Sequence, residues 1–293
     1  MSARPVLATP ATGAGAGPAT GPDAGTGTDA GFRLEARGIT AGYDRKPIIE
    51  GLSLGIEPGR ITALVGPNAC GKSTLLKSVA RLLPVAAGSV LLEGQDIHAL
   101  PTREVARRLG ILPQSPIAPE SITVGDLVWR GRHPHRQFGQ RRTAADDEVI
   151  ADALTATGTA ELIDRPVDQL SGGQRQRVWI ALALAQDTPT LLLDEPTTYL
   201  DIAHQIEVMD LLADLNEQFG KTIVLVSHDL NQAALYASTI VAMRDGRIVC
   251  QGTPEEVLTE RTVAEVFGLD CLVVPHPRSH RPQIFPLGRR TPA

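Results

Sequence analysis

Residues 66–74 of this chain read Gly66-Pro67-Asn68-Ala69-Cys70-Gly71-Lys72-Ser73-Thr74. The run fits the phosphate-loop pattern, in which Gly, any four residues, Gly and Lys are followed by Ser or Thr. Backbone N–H groups of such a loop point inward and bind anions, and the helix that follows adds its positive end. The sequence therefore predicts that these nine residues bind nucleotide phosphates, with Lys72 reaching the β- and γ-phosphates and the Ser73 hydroxyl binding Mg²⁺.

The segments on either side of this loop support the prediction. Arg60–Val65 is a compact apolar strand that runs directly into the loop. Leu75–Leu83 has the pattern of a helix, which ends at Pro84 because proline cannot continue it. A phosphate loop requires a strand before it and a helix after it, so a chance Gly-rich turn is a poor explanation.

Two carboxylates directly follow a second apolar strand, Thr190–Leu193. They are Asp194 and Glu195. Ligands of open α/β sheets bind at the carboxyl ends of the strands, so this strand is expected to deliver both side chains to the phosphate site. We expect Asp194 to hold Mg²⁺ and Glu195 to orient and polarise an attacking water.

The order of strand and helix patterns predicts the fold class. Strands alternate with helices, which favours an α/β core with a mostly parallel sheet, and the helix-rich stretch at about 115–188 reads as an inserted subdomain. The other predicted strands are Phe32–Tyr43, Ile48–Ile56, Ser89–Leu92, Leu109–Leu112, Thr222–Val226 and Ile240–Met243. The other predicted helices lie in Thr123–Leu162, Gly173–Gln186, Ile202–Phe219 and Asn231–Ala237.

Composition excludes several classes of protein. The longest apolar run, Val178–Ala185, is far shorter than the roughly 20 residues that a spanning helix needs, so we expect no membrane crossing by this chain alone. A net charge of −5 argues against a general nucleic-acid partner. Three cysteines are too few for a disulfide framework, which fits a reducing compartment. Residues 1–31, rich in Ala, Gly, Thr and Pro, are predicted to be a disordered tail.

A further motif, Leu170-Ser171-Gly172-Gly173-Gln174, precedes the carboxylate strand. With it the chain resembles an ATP-binding cassette ATPase, the nucleotide-binding subunit of ABC transporters. The resemblance covers about residues 32–270 and leaves 271–293 as a C-terminal extension. Further positions fit the family residue by residue: Tyr43 the aromatic that stacks on adenine, Gln114 the Q-loop, Asp201 the D-loop and His228 the switch histidine.

The resemblance implies a fold, a site and a dimer. The fold is a phosphate-loop NTPase core with an N-terminal antiparallel β subdomain and the inserted helical subdomain. ATP and Mg²⁺ are the implied cofactors. Two copies would pair head to tail, so that the signature residues of each copy act on the ATP held by the other. The implied catalytic residues are Glu195, His228 and Gln114, the metal ligands Ser73, Gln114 and Asp194, and the signature residues Ser171, Gly172, Gly173 and Gln174.

The resemblance also implies partners. Two separate permease subunits would hold the chain at the cytoplasmic face of the membrane, as in type II importers. The stretches Asp194–Gln205 and Arg130–His135 look like those of ferric-siderophore importer cassettes, which implies a siderophore-binding protein as an indirect partner. Haem, cobalamin or another metal chelate is the alternative cargo. An ATPase that serves an exporter and a non-hydrolysing regulatory module also stay open.

Three local features carry their own hypotheses. Ala69 stands where the family usually has Gly, which tolerates positive φ, so the loop geometry is open there. Cys70 is either a small filler or a reactive thiol whose pKa the helix N-terminus lowers. The segment Arg130–Arg142, with five Arg and two His, is either a solvated face or a contact with the permease or anionic headgroups.

Overall fold

The computed structural model describes residues 31–44, 46–136, 142–198 and 200–289. The predicted tail at 1–31 thus lies outside the described residues except for Gly31. The strands are β1 Leu34–Tyr43, β2 Lys46–Ile56, β3 Ile61–Val65, β4 Ala87–Leu92, β5 Gln95–Asp96, β6 Leu109–Leu112, β7 Thr190–Asp194, β8 Thr222–Val226, β9 Thr239–Arg244, β10 Arg247–Gly252, β11 Leu269–Pro275 and β12 Pro282–Arg289. The helices are α1 Lys72–Val79, α2 Thr102–Arg108, α3 Val124–Trp129, α4 Ala144–Ala156, α5 Gly172–Ala185, α6 Ile202–Phe219, α7 Leu230–Tyr236, α8 Pro254–Val257 and α9 Glu260–Phe267. None of these helices is both long enough and apolar enough to cross a bilayer.

The main sheet brings the predicted site to one edge. Its strand order is β10-β9-β3-β8-β7-β6, with β9, β3, β8, β7 and β6 parallel and β10 antiparallel. Every residue of β3, β7 and β8 is buried, as expected for strands with helices on both faces. Leu64 and Asp194 both pair with Val226, so the three strands end in register. The segments that begin at Gly66, Glu195 and Ser227 therefore leave the sheet side by side.

A second sheet, of order β2-β1-β4-β5, is antiparallel throughout. Its inward residues, among them Leu34, Ile39 and Ile49, pack with α1 and one face of the main sheet into a hydrophobic core. The other face of the main sheet shares a larger core with the helices between β6 and β7. The predicted α/β fold, with its antiparallel subdomain and inserted helices, is confirmed.

The inserted helices α3, α4 and α5 pack on one another through buried apolar side chains, including Leu127, Ile150 and Val178. An ion pair ties them together, because Nε of the buried Arg132 lies 3.0 Å from Oδ1 of the buried Asp146. Arg132 also donates to the carbonyl of Ala185 at 3.0 Å. For Arg130–Arg142 the sequence suggested either a solvated face or a contact with the permease or headgroups. At Arg132 both hypotheses are wrong, because this side chain is buried and paired within the protein. Residues 137–141 of that segment lie outside the described residues.

Several boundaries differ from the predicted ones. Helix α1 begins at Lys72 instead of Leu75 because Gly71, with a φ of 107°, ends the loop and leaves the next residue helical. The short elements α2, β10, α8 and α9 were not predicted. The hairpin of β11 and β12 was also unforeseen, and it packs on α9 and α7. The expected boundary between residues 270 and 271 therefore falls inside a strand of the same compact unit.

Candidate functional site

The phosphate loop leaves β3 through a glycine that cannot be replaced without a rearrangement. Gly66 has a φ of 154°, and a Cβ at this position would overlap the carbonyl oxygen of Met243. At Gly71 a Cβ would approach Cγ2 of Ile49 to 2.9 Å, and the positive φ adds strain for any other residue. Both glycines of the motif are therefore required by the path of the backbone.

Lys72, the first residue of α1, is buried against the loop that precedes it. Its Nζ donates to the carbonyl oxygens of Gly66 at 2.8 Å and Pro67 at 2.9 Å. The ammonium group is thus held inside the curve of the loop, where predicted phosphates would bind. Two carbonyl dipoles compensate the charge, which makes its burial tolerable.

Ser73 and Asp194 form the contact that fits a divalent cation. Oγ of Ser73 donates to Oδ1 of Asp194 at 2.8 Å, and Oδ2 of Asp194 is buried without a hydrogen-bond partner in the described part of the chain. Burial raises the pKa of Asp194, although the bond from Ser73 opposes this. A hydroxyl and an under-satisfied carboxylate are the hard oxygen donors that Mg²⁺ prefers, so the donor set fits this ion.

Glu195 lies at the centre of the predicted catalytic residues. Its φ of 57° turns the chain sharply at the end of β7. Oε2 accepts from Nε2 of Gln114 at 2.6 Å and from Oγ1 of Thr198 at 3.1 Å, and Oε1 lies 2.5 Å from Nε2 of His228. Burial works to raise the pKa of Glu195, but the bonds from His228, Thr198 and Gln114 outweigh it and hold the pKa below its usual value.

One cavity of about 490 Å³ joins most of these residues. It is lined by Asn68, Ala69, Gly71, Lys72, Ser73, Thr74, Gln114, Glu195 and His228 of the predicted set, together with Ile48 and Thr198. Tyr43 does not line it; it lies at the end of β1 and is largely exposed. Thr198 was missed in the sequence, and its place three residues after Glu195 was the available signal.

The signature residues lie elsewhere, at the start of α5. The Ser171 hydroxyl accepts from the N–H of Gln174 at 3.3 Å, and the Gln174 side chain accepts from the N–H of Ser171 at 3.2 Å. The start of the helix, at Ser171 and Gly172, is exposed to solvent. A Cβ at Gly173 would contact the ring of His204 at 3.2 Å, so the signature turn adjoins the start of α6.

Asp201 caps the first turn of α6. Its Oδ1 accepts from the N–H of His204 at 2.9 Å and lies 2.8 Å from Nδ1 of the same residue. These hydrogen bonds lower the pKa of Asp201. The structure therefore brings Asp201 close to the signature turn through His204, and not into the cavity that contains Lys72.

The two loop hypotheses have opposite outcomes. Ala69 adopts the left-handed conformation that glycine would favour, with a φ of 61°, which answers the question that the sequence left open at this position. The prediction of a lowered pKa for Cys70 is wrong. The side chain is buried, and burial raises the pKa of the thiol despite the nearby ammonium of Lys72.

Comparison with known proteins agrees with this geometry. Residues 49–198 match the family described as ABC transporter. The chain belongs to the ABC transporter family. The achromobactin transport ATP-binding protein of Dickeya dadantii is 53% identical over 88% of this chain and 96% of its own length. The ferric enterobactin transport ATP-binding protein of Escherichia coli is 47% identical over 91% of this chain and 98% of its own length.

Solved ABC structures share the fold. An inward-facing transporter described as of the metal-chelate type superposes with a TM-score of 0.76 at 28% identity, over 88% of this chain and 98% of the other. A dimeric cassette in a post-hydrolysis state with ADP and Pi superposes with a TM-score of 0.67 at 27% identity, over 75% of this chain and 98% of the other. This ABC chain is therefore an ATP-binding cassette ATPase.

Proposed function

We propose that this chain is the subunit that hydrolyses ATP to power the import of iron(III)–siderophore complexes through separate membrane permease subunits. The single observation that carries the catalytic part is the cavity in which Lys72, Ser73, Glu195 and His228 meet. The cargo rests on the similarity to cassettes whose names describe achromobactin and ferric enterobactin transport.

Nucleotide binding is assigned to the loop and to β1. Tyr43 stacks on adenine, and the backbone N–H groups of residues 66–74 receive the phosphates. For the ammonium of Lys72 to reach the β- and γ-phosphates, it exchanges its contacts with the carbonyls of Gly66 and Pro67 for phosphate oxygens. The exchange replaces two ion–dipole contacts with a stronger ion pair.

Ser73, Asp194 and Gln114 are assigned to hold Mg²⁺. These oxygen donors would hold the ion beside the phosphates, where it would supply positive charge against the negative charge that develops during phosphoryl transfer. Gln114 now donates to Glu195 through Nε2, so the side chain assigned to the metal also contacts the catalytic carboxylate. A residue in this place connects the occupied site with the helical subdomain that follows it in the chain.

Glu195 and His228 are assigned to the attacking water. Because its pKa is held low, Glu195 is ionised at neutral pH and accepts a hydrogen bond from water, which orients the oxygen toward the γ-phosphate. His228, 41% exposed at its side chain, faces both this carboxylate and the cavity and donates to the charge that develops. Catalysis in this class of reaction consists mostly of such positioning and charge stabilisation.

The exposed signature turn supports a dimer. Ser171, Gly172, Gly173 and Gln174 present a helix N-terminus that does not line the cavity of their own chain. In a head-to-tail pair each turn faces the ATP of the other copy, with Asp201 beside it. Two copies of the cassette would bind two permease subunits at the cytoplasmic face of the membrane and act indirectly with a siderophore-binding protein.

Uptake of radiolabelled ferric siderophores by cells that carry wild-type chain or Lys72→Ala tests the proposal. We expect the variant to lose uptake of one siderophore class at unchanged protein abundance. A panel that includes haem and cobalamin decides the cargo, since loss confined to either compound would overturn the siderophore assignment. ATP hydrolysis by the purified wild-type chain separates the ATPase role from a non-hydrolysing regulatory one.

A further inference from the structure

Helix α7 begins two residues after His228, and the side chains of its cap and first turn make hydrogen bonds within the turn and to two other elements. Asp229 caps the helix and accepts from the N–H groups of Asn231 at 2.8 Å and Gln232 at 3.0 Å. The side chains of Asn231 and Gln232 then bond to two different elements, β12 and α6. His228 is exposed and lies just after the end of β8. The hydrogen bonds of Asp229, Asn231 and Gln232 therefore determine the path of the backbone next to it.

Asn231 connects this turn with the C-terminal hairpin. Its Nδ2 donates to the carbonyl of Ile284 at 3.2 Å, and the N–H of Ile284 donates to its Oδ1 at 2.7 Å. Both ends of the amide are therefore used on one residue of β12. The hairpin, to which no role was assigned, is fixed to the segment that carries His228.

Gln232 connects the same turn with the segment that carries Glu195. Its Nε2 donates to Oε1 of Gln205 at 2.7 Å. The Nε2 of Gln205 in turn donates to the carbonyls of Leu200 at 3.0 Å and Thr197 at 3.4 Å. A single amide on α6 thus joins the turn after His228 to the turn after Glu195, independently of the direct bond between those two side chains.

Gln205 and Asn231 line a second cavity beside Glu195 and His228. A cavity of about 520 Å³ is lined by Glu195, His228, Gln205, Asn231 and Ile284 among others. It adjoins the cavity that contains Lys72, because Glu195, Thr198 and His228 line both. Gln205 and Asn231 line only the second space, so they are placed to act on the catalytic pair and not on the phosphates.

We propose that Gln205 and Asn231 are positioning residues that hold His228 at Glu195. Gln205 fixes the distance between the segment that carries Glu195 and the one that carries His228. Asn231 fixes the second of these segments to the C-terminal hairpin. The inference rests on the proposed roles of Glu195 and His228. Misplacing a catalytic group by about 1 Å can cost as much as 100-fold in rate, so weak bonds of this kind suffice to control turnover.

Steady-state ATP hydrolysis by the full-length chain tests the proposal in the variants Gln205→Ala, Gln232→Ala, their double variant and Asn231→Ala. The matched control is Gln218→Ala, an exposed glutamine on the same helix. We expect Gln205→Ala and Gln232→Ala each to lower kcat by about tenfold with little change in KM. The double variant should lose little more than either single one, because both break the same bond.

A purely structural role is distinguished by the split between kcat and KM. Misplacing His228 should lower kcat and leave the KM for ATP unchanged in Gln205→Ala and Asn231→Ala, whereas lost packing alone should lower only the melting temperature. The other groups that bond to Glu195, Gln114 and Thr198, are unchanged in these variants. Where Gln205→Ala does not fold, Gln205→Glu keeps the acceptor for Gln232 and loses the donor to Leu200, and a smaller fall in kcat is expected.

A lower melting temperature with kcat and KM unchanged would overturn the inference. A Glu195→Gln variant that hydrolyses ATP at the wild-type rate would contradict the proposed catalytic roles, and this result is independent of the positioning inference. Loss of turnover in Glu195→Gln together with wild-type behaviour of Gln205→Ala and Asn231→Ala removes only the positioning roles.

Discussion

Oγ of Ser73 donates to Oδ1 of Asp194 at 2.8 Å and so joins the phosphate loop to the neighbouring carboxylate strand. The bond forms because β3 and β7 flank β8 in register and deliver both residues to the same edge of the sheet. It leaves Oδ2 of Asp194 buried without a hydrogen-bond partner among the described residues. The pair therefore has one oxygen that is placed to bind a cation or to accept from a donor that the described residues do not supply.

Ser73→Ala is expected to weaken Mg²⁺ binding, because it removes one of the proposed ligands and the hydrogen bond between Ser73 and Asp194. We expect the Mg²⁺ concentration for half-maximal ATP hydrolysis to rise at least about tenfold. The matched control is Ser78→Ala on the same helix, which removes a buried hydroxyl without a hydrogen bond in the described structure. An unchanged Mg²⁺ titration in Ser73→Ala would contradict the metal assignment.

Glu195→Gln is expected to bind ATP but to hydrolyse it at least about 100-fold more slowly than the wild type, because the neutral amide cannot accept a proton from the attacking water. With Mg²⁺ and ATP present, size-exclusion chromatography should show the variant as a stable dimer. Glu217→Gln, an exposed change on α6, serves as the control and should behave as wild type. Rapid turnover by the Glu195 variant would remove this residue from catalysis.

The acid limb of the pH profile is expected to depend on His228. Burial tends to raise the pKa of Glu195, but its hydrogen bonds, led by the one from His228, lower the pKa by more. Turnover should therefore fall only when the pH drops through this depressed pKa. In His228→Ala the pKa of Glu195 rises, and the limb should move to higher pH even though kcat is also smaller. Thr198→Ala should give a smaller shift in the same direction. An acid limb at the wild-type pH in both variants would show that these bonds do not set the pKa.

Ala69→Gly is expected to change the free energy of unfolding by less than about 0.5 kcal/mol. Relief of the left-handed conformation is worth about 1 kcal/mol, and the greater freedom of unfolded glycine offsets most of it. Ala69→Val, which is β-branched at the same exposed position, should destabilise the protein by more than about 1 kcal/mol. Urea denaturation measures both, and equal stability of the Val variant and wild type would contradict the conformation at this residue.

Cys70 is expected to resist alkylation in the folded protein, because burial raises the pKa of its thiol and excludes reagent. Iodoacetamide labelling followed by mass spectrometry should modify Cys70 at least about tenfold more slowly in folded than in urea-unfolded chain. Cys70→Ser identifies the labelled peptide. Fast labelling that inhibits ATP hydrolysis and is prevented by ATP would restore the hypothesis of a reactive thiol.

The sequence predicted those parts of the molecule in which local chemistry determines local geometry. Glycine spacing fixed the phosphate loop, and unbroken apolar runs before Gly66, Asp194 and Ser227 identified the buried parallel strands. Strands of this kind end at a common edge, which is why residues far apart in sequence could be assigned to one site.

Contacts made by side-chain amides between distant segments could not be predicted. Nothing in the run around Ile284 indicates that its backbone bonds to Asn231, and prolines at 282 and 286 weaken the strand pattern of β12. The burial of Arg132 was hidden for a similar reason, since its partner Asp146 lies on another helix and the local sequence is basic. Of the two hypotheses for Cys70, the reactive thiol failed because it weighed the helix N-terminus and left out the depth of burial.

The two hydrogen bonds from Lys72 to the carbonyls of Gly66 and Pro67 also bear on product release. When the nucleotide leaves, the buried ammonium of Lys72 is not left without acceptors, because it can donate to the carbonyls of Gly66 and Pro67 again. The net gain from a lysine–phosphate contact is therefore a difference between two bound states of the same ammonium group. We therefore expect these carbonyls to lower the net affinity for the product nucleotide and to favour its release.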